Sequence, residues 1–295
     1  MTKIWLCGAF GMLGSHVKRL LSKKKTSFLA NDHKEIDITD LEAVSDFVRV
    51  QKITHVINCA AYTQVDLAEK EQKQAYLVNA VGPHNLGIAG RRHGARVLHF
   101  STDYVFDGKA RSPYTEEHTC TPLGAYGMSK LAGEIKLLDE HQKACIIRTS
   151  WLFGYPGKNF VDTMLQLMGE KEQLRVVSDQ VGRPTYCQDL AETAWEMLDT
   201  EGLFHFANAF ETTWHQFAAE IHKQASAMGF PLKLKKLEPI KTNEYPTPAQ
   251  RPAYSVLNTK KIEQHLGRTP RSWREALSDY LVQVKDLPKK NQVES

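Results

Sequence analysis

Short apolar runs alternate with amphipathic stretches along the first half of the chain. The runs predict buried strands over residues 3–7, 27–31, 55–59, 96–101 and 143–149. Apolar residues at helical spacing predict helices over 15–23, 71–93 and 125–141, and a further helix that ends near Val50, with Thr39 or Asp40 as its N-cap. Strands that alternate with helices at this pace indicate βαβ units and a parallel sheet.

The pattern becomes less regular after residue 150. Helices are predicted over 159–169, 188–199, 214–228 and 272–284, and a strand over 203–207. The stretch 237–254 contains four prolines and is predicted to be mostly loop, and the polar tail from residue 285 is expected to fray. We therefore predict an α/β fold in which residues 1–150 form a Rossmann-type, doubly wound dinucleotide-binding domain. Residues 151–295 would form mainly a smaller, mixed α/β substrate-binding domain, with some segments returning to the sheet.

Composition narrows the class of protein. Hydrophobic residues make up 42% and charged residues 24%, as in ordinary globular proteins, and the net charge of +4 is scattered without a basic stripe. Nucleic acid is therefore not an expected partner. The five cysteines include no CxxC pair, which favours reduced thiols over a disulfide framework or a zinc site. No apolar run reaches the roughly 20 residues of a membrane span, and a strand begins almost at once, so we expect a cytoplasmic protein without a signal peptide.

A glycine-rich turn follows the first predicted strand. Gly8, Gly11 and Gly14 have the spacing GxxGxxG and lead directly into a helix, where glycines allow a pyrophosphate to approach the helix N-terminus. The simpler interpretation is a packing turn without a ligand. Asp32, after the second strand, is placed to hold adenosine ribose hydroxyls, whereas Lys34 suits a 2′-phosphate. The sequence leaves the choice between NADPH and NADH open.

A tyrosine and a lysine stand one helical turn apart at Tyr126 and Lys130. A free phenol has a pKa of roughly 10, and a nearby ammonium lowers it, so this pair suits a general acid. The hydroxyls of Ser101 and Thr102 follow the fourth strand, at the sheet edge where α/β folds bind ligands, and suit a substrate carbonyl oxygen. The simpler interpretations are a solvated helix face and a turn that satisfies its own backbone.

Five segments taken together resemble the extended short-chain dehydrogenase/reductases and, among them, the family of dTDP-4-dehydrorhamnose reductases. They are Ser101-Thr102-Asp103-Tyr104-Val105-Phe106-Asp107-Gly108, Tyr126-Gly127-Met128-Ser129-Lys130, Arg148-Thr149-Ser150-Trp151-Leu152-Phe153-Gly154, Gly182-Arg183-Pro184-Thr185 and Arg251-Pro252. The resemblance extends to about residue 281. It implies that a reduced nicotinamide coenzyme, NADPH or alternatively NADH, reduces the 4-keto group of dTDP-4-dehydro-L-rhamnose to dTDP-L-rhamnose for cell-surface polysaccharide synthesis.

The resemblance also implies a role for each site residue. Tyr126 would donate the proton, Lys130 would hold the nicotinamide ribose and lower the Tyr126 pKa, and Thr102 would orient the keto oxygen beside Asp103. Trp151 would pack on the sugar, and Arg251 would meet the diphosphate. Besides Tyr126 and Lys130, the cofactor groove would be lined by Gly8, Gly11, Met12, Leu13, Gly14, Asp32, Asp37, Ile38, Ala61, Tyr62, Thr63 and Phe100.

Some features depart from related families. Certain relatives dimerise through a metal held by carboxylates, but His16 stands at a matching position, so no metal is expected and a homodimer is only possible. Related 4,6-dehydratases carry a glutamate where this chain has Tyr104, which argues against dehydration. Two alternatives stay open, namely a non-catalytic subunit similar to the methionine adenosyltransferase β subunit and a reductase of another nucleotide 4-keto-deoxysugar.

Overall fold

The computed structural model, which describes residues 2–286, contains helices on both faces of a parallel sheet. Its first half runs β1 (Lys3–Cys7), α1 (Met12–Lys23), β2 (Ser27–Asn31), α2 (Leu41–Val50), β3 (His55–Asn58), α3 (Val65–Ala68), α4 (Gln72–Tyr76), a π-helical turn (Leu77–Val81), α5 (Gly82–His93), β4 (Arg96–Thr102), a 3-10 turn (Asp103–Val105), α6 (Ala125–Glu140) and β5 (Cys145–Thr149). The second half runs β6 (Leu152–Phe153), α7 (Phe160–Glu170), β7 (Gln173–Val177), β8 (Val181–Gly182), β9 (Thr185–Tyr186), α8 (Cys187–Glu196), β10 (Gly202–His205), β11 (Thr212–Thr213), α9 (Trp214–Ala227), β12 (Lys236–Ile240), a 3-10 turn (Thr242–Glu244), α10 (Lys260–Leu266) and α11 (Trp273–Lys285).

The main sheet has the strand order β10-β5-β4-β3-β1-β2, and all neighbouring strands are parallel. Helices α1 and α8 pack on one face, and α2, α5 and α6 pack on the other. The winding reverses at β1, because β2 lies on one side of it and β3 on the other. In such sheets ligands bind at the carboxyl ends of the strands beside the reversal. The predicted α/β, doubly wound fold is confirmed.

Side-chain caps fix where the helices begin. Asp40 accepts a hydrogen bond from the Ala43 N–H at 3.1 Å and starts α2. Helix α6 has no side-chain cap from its own N-cap residue, and instead Glu69 accepts the Ala125 N–H at 2.9 Å. The first turn of α6, which carries Tyr126, is therefore attached to the segment that follows α3.

The second half of the chain builds its own hydrophobic cluster and also extends the main sheet. Phe153, Tyr186, Phe217, Trp273 and Tyr280 are buried together between α7, α9 and α11. Strand β10 leaves this part and pairs in parallel with β5, so a late segment completes the sheet. The assignment of residues 1–150 to the dinucleotide and of 151–295 mainly to substrate stays a prediction.

Several features differ from the pattern-based prediction, and β7 is among the strands that it did not include. The proline-containing stretch includes β12, which pairs in parallel with β7 in a two-stranded sheet, where an edge position tolerates Pro239. The long helix predicted over 71–93 is divided by the π-helical turn before Gly82-Pro83. Helix α10 was not predicted. The tail expected to fray lies outside the described residues from 287 onward.

Candidate active site

The carboxyl end of β4 carries a hydroxyl and a carboxyl group. Thr102 accepts the Tyr104 N–H at 3.2 Å and donates to Asp103 Oδ1 at 3.1 Å. Asp103 is 1% exposed, and its Oδ2 has no hydrogen-bond partner within residues 2–286. Burial raises the pKa of Asp103 to about 6, although hydrogen bonds from Ser255 and Thr102 oppose this shift. Asp103 therefore changes its charge close to neutral pH.

Tyr126 reaches the same place from the first turn of α6. Its ring meets the Tyr104 ring edge-on, with centroids 5.6 Å apart. Burial raises the pKa of Tyr126 to about 12, a hydrogen bond with the Thr102 hydroxyl lowers it, and the Asp103 charge raises it. The phenol thus holds its proton at neutral pH and lies close enough to the Thr102 hydroxyl for that group to affect its pKa, as suits a general acid beside a bound carbonyl.

Lys130 lies one turn further along α6 and is only 2% exposed. Its Nζ donates to the Phe100 carbonyl at 2.6 Å and lies 3.2 Å from His99 Nε2. Burial lowers the pKa of Lys130 to about 8. In this structure Nζ turns towards β4 and burial dominates the pKa of Tyr126, so the lowering of that pKa by Lys130 stays a prediction.

The glycine turn between β1 and α1 fits a pyrophosphate. Gly8 has φ of +67°, and a Cβ on Gly14 would lie 2.0 Å from the Gly8 carbonyl oxygen, so neither position accommodates a side chain. Gly11 is the N-cap and offers no side chain. The N–H groups of Met12, Leu13 and Gly14 find no protein acceptor in the described part of the chain. These free donors at a helix N-terminus suit an anion.

The adenosine end of the predicted groove lies beside β2. The strand ends at Asn31, one residue before Asp32, and Asn31 Oδ1 is buried without a partner among residues 2–286. Asp32 Oδ1 accepts the Lys34 N–H at 2.9 Å, so this carboxylate closes its own turn. A cavity of about 50 Å³ is bounded by Asn31, Asp32, Asp37 and Ile38. The structure therefore brings the predicted Asp32, Asp37 and Ile38 to one recess.

The segment after β3 passes over the centre of the sheet edge. Asn79 accepts the Tyr62 N–H at 2.8 Å and donates to the Tyr62 carbonyl at 3.0 Å. The same amide donates to Ser129 Oγ on α6 at 3.0 Å. Asn79 therefore joins the predicted segment Ala61–Thr63, in which Thr63 is exposed, to the helix that carries Tyr126.

Trp151 is held in an unusual backbone conformation, with φ of +47°. Its indole stacks on Trp214, with ring centroids 3.4 Å apart and an interplanar angle of 8°. A Cβ on Gly182 would lie 2.5 Å from the Trp151 indole, so that glycine allows the close approach. The predicted sugar-packing residue is thus fixed by α9 and β8.

Arg251 lies beside the Tyr104 ring. Its Nη2 donates to Asp66 Oδ2 at 2.8 Å, and its Nη1 donates to the Ala249 carbonyl at 3.2 Å. The guanidinium carbon lies 5.9 Å from the centroid of the Tyr104 ring, which itself meets Tyr126. The structure therefore places the predicted diphosphate-binding cation near the candidate acid, with part of its donor set used by Asp66.

Comparison with known proteins assigns this arrangement to a family. A family model described as the RmlD substrate binding domain matches residues 2–285. The chain belongs to this family. The resemblance predicted from the motifs is confirmed.

Relatives of this RmlD-family chain cover nearly its whole length. The spore coat polysaccharide biosynthesis protein SpsK of Bacillus subtilis is 40% identical over 282 residues, which are 95% of this chain and 97% of the relative. The dTDP-4-dehydrorhamnose reductase of Aggregatibacter actinomycetemcomitans is 40% identical over 288 residues, covering 95% of this chain and 98% of the relative. A crystal structure of dTDP-4-dehydrorhamnose reductase from Bacillus anthracis in complex with NADP has a TM-score of 0.90 and 36% identity, covering 96% of this chain and 100% of that one.

Two further sequence predictions concern metals and membranes. His16, where some relatives were expected to hold a metal, is buried against the Tyr186 ring, and burial lowers its pKa to about 4. Residues 2–286 contain no group of three or more histidine, cysteine or acidic side chains arranged for a metal ion. Within the same range no helix combines the length and apolarity that crossing a bilayer needs.

Sequence reasoning missed several residues that shape this RmlD-family site. Asn58, His99 and Asn79 are buried polar residues, and Trp214 supports Trp151. The available signal was a polar side chain within an apolar run, as for His99 between Leu98 and Phe100. Such a residue requires a buried partner, but the sequence does not identify that partner.

Proposed function

We propose that this chain reduces the 4-keto group of dTDP-4-dehydro-L-rhamnose to dTDP-L-rhamnose, with NADPH as the reductant. The observation that carries the proposal is the approach of Thr102 and Tyr126 at the carboxyl end of β4, on the same sheet edge as the glycine turn that follows β1. The relatives named as dTDP-4-dehydrorhamnose reductases support the substrate, and the relative in complex with NADP supports the coenzyme.

The proton would come from Tyr126. Because burial keeps the pKa of this phenol at about 12, it is protonated at neutral pH and available to the keto oxygen. The Thr102 hydroxyl would hold the same oxygen by turning its one proton from Asp103 Oδ1, which accepts it in this structure, to the substrate. When bound, NADPH supplies the hydride that the ketone carbon accepts.

The coenzyme would lie along the predicted groove. The free N–H groups of Met12, Leu13 and Gly14 would bind its pyrophosphate, and Lys130 would hold the nicotinamide ribose. Asn31, with its unpartnered amide oxygen, and Asp32 would meet the adenosine ribose. Use of NADH in place of NADPH stays a prediction.

The sugar nucleotide would lie between Trp151 and Arg251. Stacking on Trp214 fixes the plane of the half-buried Trp151 indole, so this ring would limit which sugars fit. Arg251 would turn part of its guanidinium from Asp66 to the diphosphate, which has the same geometry of acceptor oxygens. A homodimer stays possible, and no residue of the proposed mechanism depends on one.

The test couples the purified protein to generation of its substrate. A 4,6-dehydratase and an epimerase convert dTDP-glucose to the 4-keto-L-sugar nucleotide, and the loss of reduced nicotinamide absorbance is followed with NADPH and with NADH. Tyr126→Phe should lower turnover by about 10²- to 10⁴-fold. Tyr76→Phe, in an exposed ring on α4, is the matched control and should keep wild-type turnover.

The outcomes separate the alternatives. Oxidation that depends on this protein and on Tyr126 supports the reductase. Near-normal turnover by Tyr126→Phe would refute the assigned acid. If the folded protein binds NADPH but does not oxidise it in the presence of any 4-keto sugar nucleotide, a non-catalytic regulatory subunit is favoured instead.

A further inference from the structure

Lys130 is the end of a buried chain of polar side chains that begins on β3. Asn58 Nδ2 lies 3.0 Å from His99 Nδ1, and His99 Nε2 lies 3.2 Å from Lys130 Nζ. Asn58 and His99 are each 1% exposed. Strands β3 and β4, which lie beneath α6, therefore supply the two side chains that lead to Lys130. Neither Asn58 nor His99 has a role in the proposed mechanism.

A backbone donor determines how the amide of Asn58 is oriented. The Ala60 N–H donates to Asn58 Oδ1 at 3.0 Å, and a backbone N–H is only a donor. The other amide atom, Nδ2, must therefore face His99, where it donates to Nδ1. Because Nδ1 accepts this hydrogen bond, it carries no proton, and the ring is neutral with its proton on Nε2.

The position of that proton determines what Lys130 can be. An ammonium has only donors, so a protonated Lys130 would turn an N–H towards the Nε2–H of His99. A neutral amine has a lone pair that accepts the Nε2–H, and its own N–H bonds still donate to the Phe100 carbonyl at 2.6 Å. The arrangement of donors therefore favours the neutral amine.

We propose that His99, oriented by Asn58, is a positioning residue that sets the protonation state of Lys130 and thereby the high-pH limit of the reductase reaction. This inference rests on the proposed function. When Tyr126 gives up its proton, an ammonium one helical turn away on α6 stabilises the resulting phenolate. Turnover then needs Lys130 to be protonated. A partner that favours the neutral amine therefore lowers the pH above which activity is lost.

Burial acts on Lys130 in the same direction as this assignment, and two neighbouring acidic groups act against it. Burial lowers the Lys130 pKa to about 8, while Glu134 on α6 and Cys59 after β3 raise it. Arg148 on β5 neutralises Glu134 through a two-point hydrogen-bonded ion pair. His99 is the remaining titratable group in contact with Lys130 among the described residues, and burial and Lys130 keep its pKa well below the usual range.

The decisive variant is Asn58→Asp, which has nearly the same shape. One carboxylate oxygen still accepts the Ala60 N–H. The other accepts a hydrogen bond from the Nδ1–H of His99, whereas the Asn58 amide donates to Nδ1. The ring proton then moves to Nδ1, and Nε2 accepts from the Lys130 ammonium. We expect the pH at which kcat/KM falls on the alkaline side to rise by roughly one unit or more. His99→Gln, whose amide oxygen faces the ammonium, should shift it in the same direction.

Nitrogen NMR of histidine-labelled protein tests the ring without turnover. The chain has 12 histidines, so the His99 signals are assigned by their loss in His99→Gln. In the wild type we expect Nε2 protonated and Nδ1 unprotonated, and in Asn58→Asp the reverse. A wild-type ring protonated on Nδ1, or on both nitrogens at neutral pH, overturns the proposal.

The two readouts also separate the failure of this inference from failure of the proposed function. If the tautomer reverses in Asn58→Asp while the pH profile of an active enzyme stays unchanged, His99 does not control Lys130. If no keto sugar is reduced, the reductase assignment fails, and the NMR result then decides the His99 tautomer on its own. If Asn58→Asp does not fold, the pH profile of His99→Gln decides between a shifted and an unchanged limit.

Discussion

Replacing Glu134 by glutamine is expected to destabilise the fold strongly, because it leaves a buried guanidinium without its counter-charge. Glu134 Oε1 accepts from Arg148 Nε at 2.9 Å, and Oε2 accepts from Arg148 Nη2 at 2.6 Å. Both side chains are 4% exposed. The pair joins α6, which carries Tyr126 and Lys130, to β5.

The surroundings of Arg148 determine how much unfolding free energy Glu134→Gln is expected to lose. Removing one partner of a buried ion pair costs about 3–5 kcal/mol, since the other charge stays in a poorly solvated place. Glutamine keeps one acceptor for the Arg148 guanidinium. His205 Nε2 also lies 3.4 Å from Arg148 Nη1, and the His205 ring is neutral because burial lowers its pKa to about 3. We therefore expect the lower end, about 3 kcal/mol.

The assay is equilibrium unfolding in urea, with the free energy of unfolding taken from the midpoint and slope. Glu140→Gln is the matched control, because Glu140 lies on the same helix and pairs with Arg91 at the surface. That change should cost less than about 1 kcal/mol. The double variant Glu134→Leu/Arg148→Met, which removes both charges, should recover most of the loss caused by Glu134→Gln.

Two results would refute this reasoning. If Glu134→Gln were no more destabilised than Glu140→Gln, the Arg148 charge would be solvated and the burial argument would be wrong. If the double variant were less stable than Glu134→Gln, the ion pair itself, rather than the unpaired charge, would carry the stability.

Three further predictions follow from close contacts and from burial. Gly14→Ala should abolish NADPH binding measured by fluorescence, because its Cβ would lie 2.0 Å from a carbonyl oxygen, whereas Gly169→Ala, with its Cβ 3.4 Å from the nearest atom, should bind normally. Trp214→Ala should raise KM for the sugar nucleotide more than KM for NADPH, because it removes the stacking partner of Trp151, the residue proposed to pack on the sugar. Asp103→Asn should stabilise the protein by about 3 kcal/mol at pH 7.5 and little at pH 4, measured by urea unfolding. The sign follows because the folded pKa of Asp103 is raised to about 6, so protonation stabilises the fold and this contribution disappears as pH rises through that value.

Much of the fold follows from local patterns in the sequence. The apolar run at 27–31 has the bounds of β2, and β1 also begins and ends as predicted. Strand β12 could not be predicted in this way, since Pro239 and exposed lysines hide a strand that has only one neighbour. Its pairing with β7 depends on a contact between distant segments, which no local periodicity encodes.

The site is predictable where one backbone element fixes it. The glycine turn, the end of β4 and the tyrosine on α6 each depend on a few adjacent residues, and the structure brings all three to one edge of the sheet. Trp214 and Asp66 come from other parts of the chain, and each acts by holding Trp151 or Arg251. Residues that support others in this way carry no motif of their own.

The acid–base properties of Tyr126 and Lys130 illustrate this limit most clearly. Their spacing places them one turn apart, which suggests that the ammonium lowers the phenol pKa. Yet the lysine turns to the Phe100 carbonyl and to His99, so the strands below the helix determine which proton it holds. Two chains with the same tyrosine and lysine on a helix can therefore work over different pH ranges, according to the side chains that their strands place beneath the lysine.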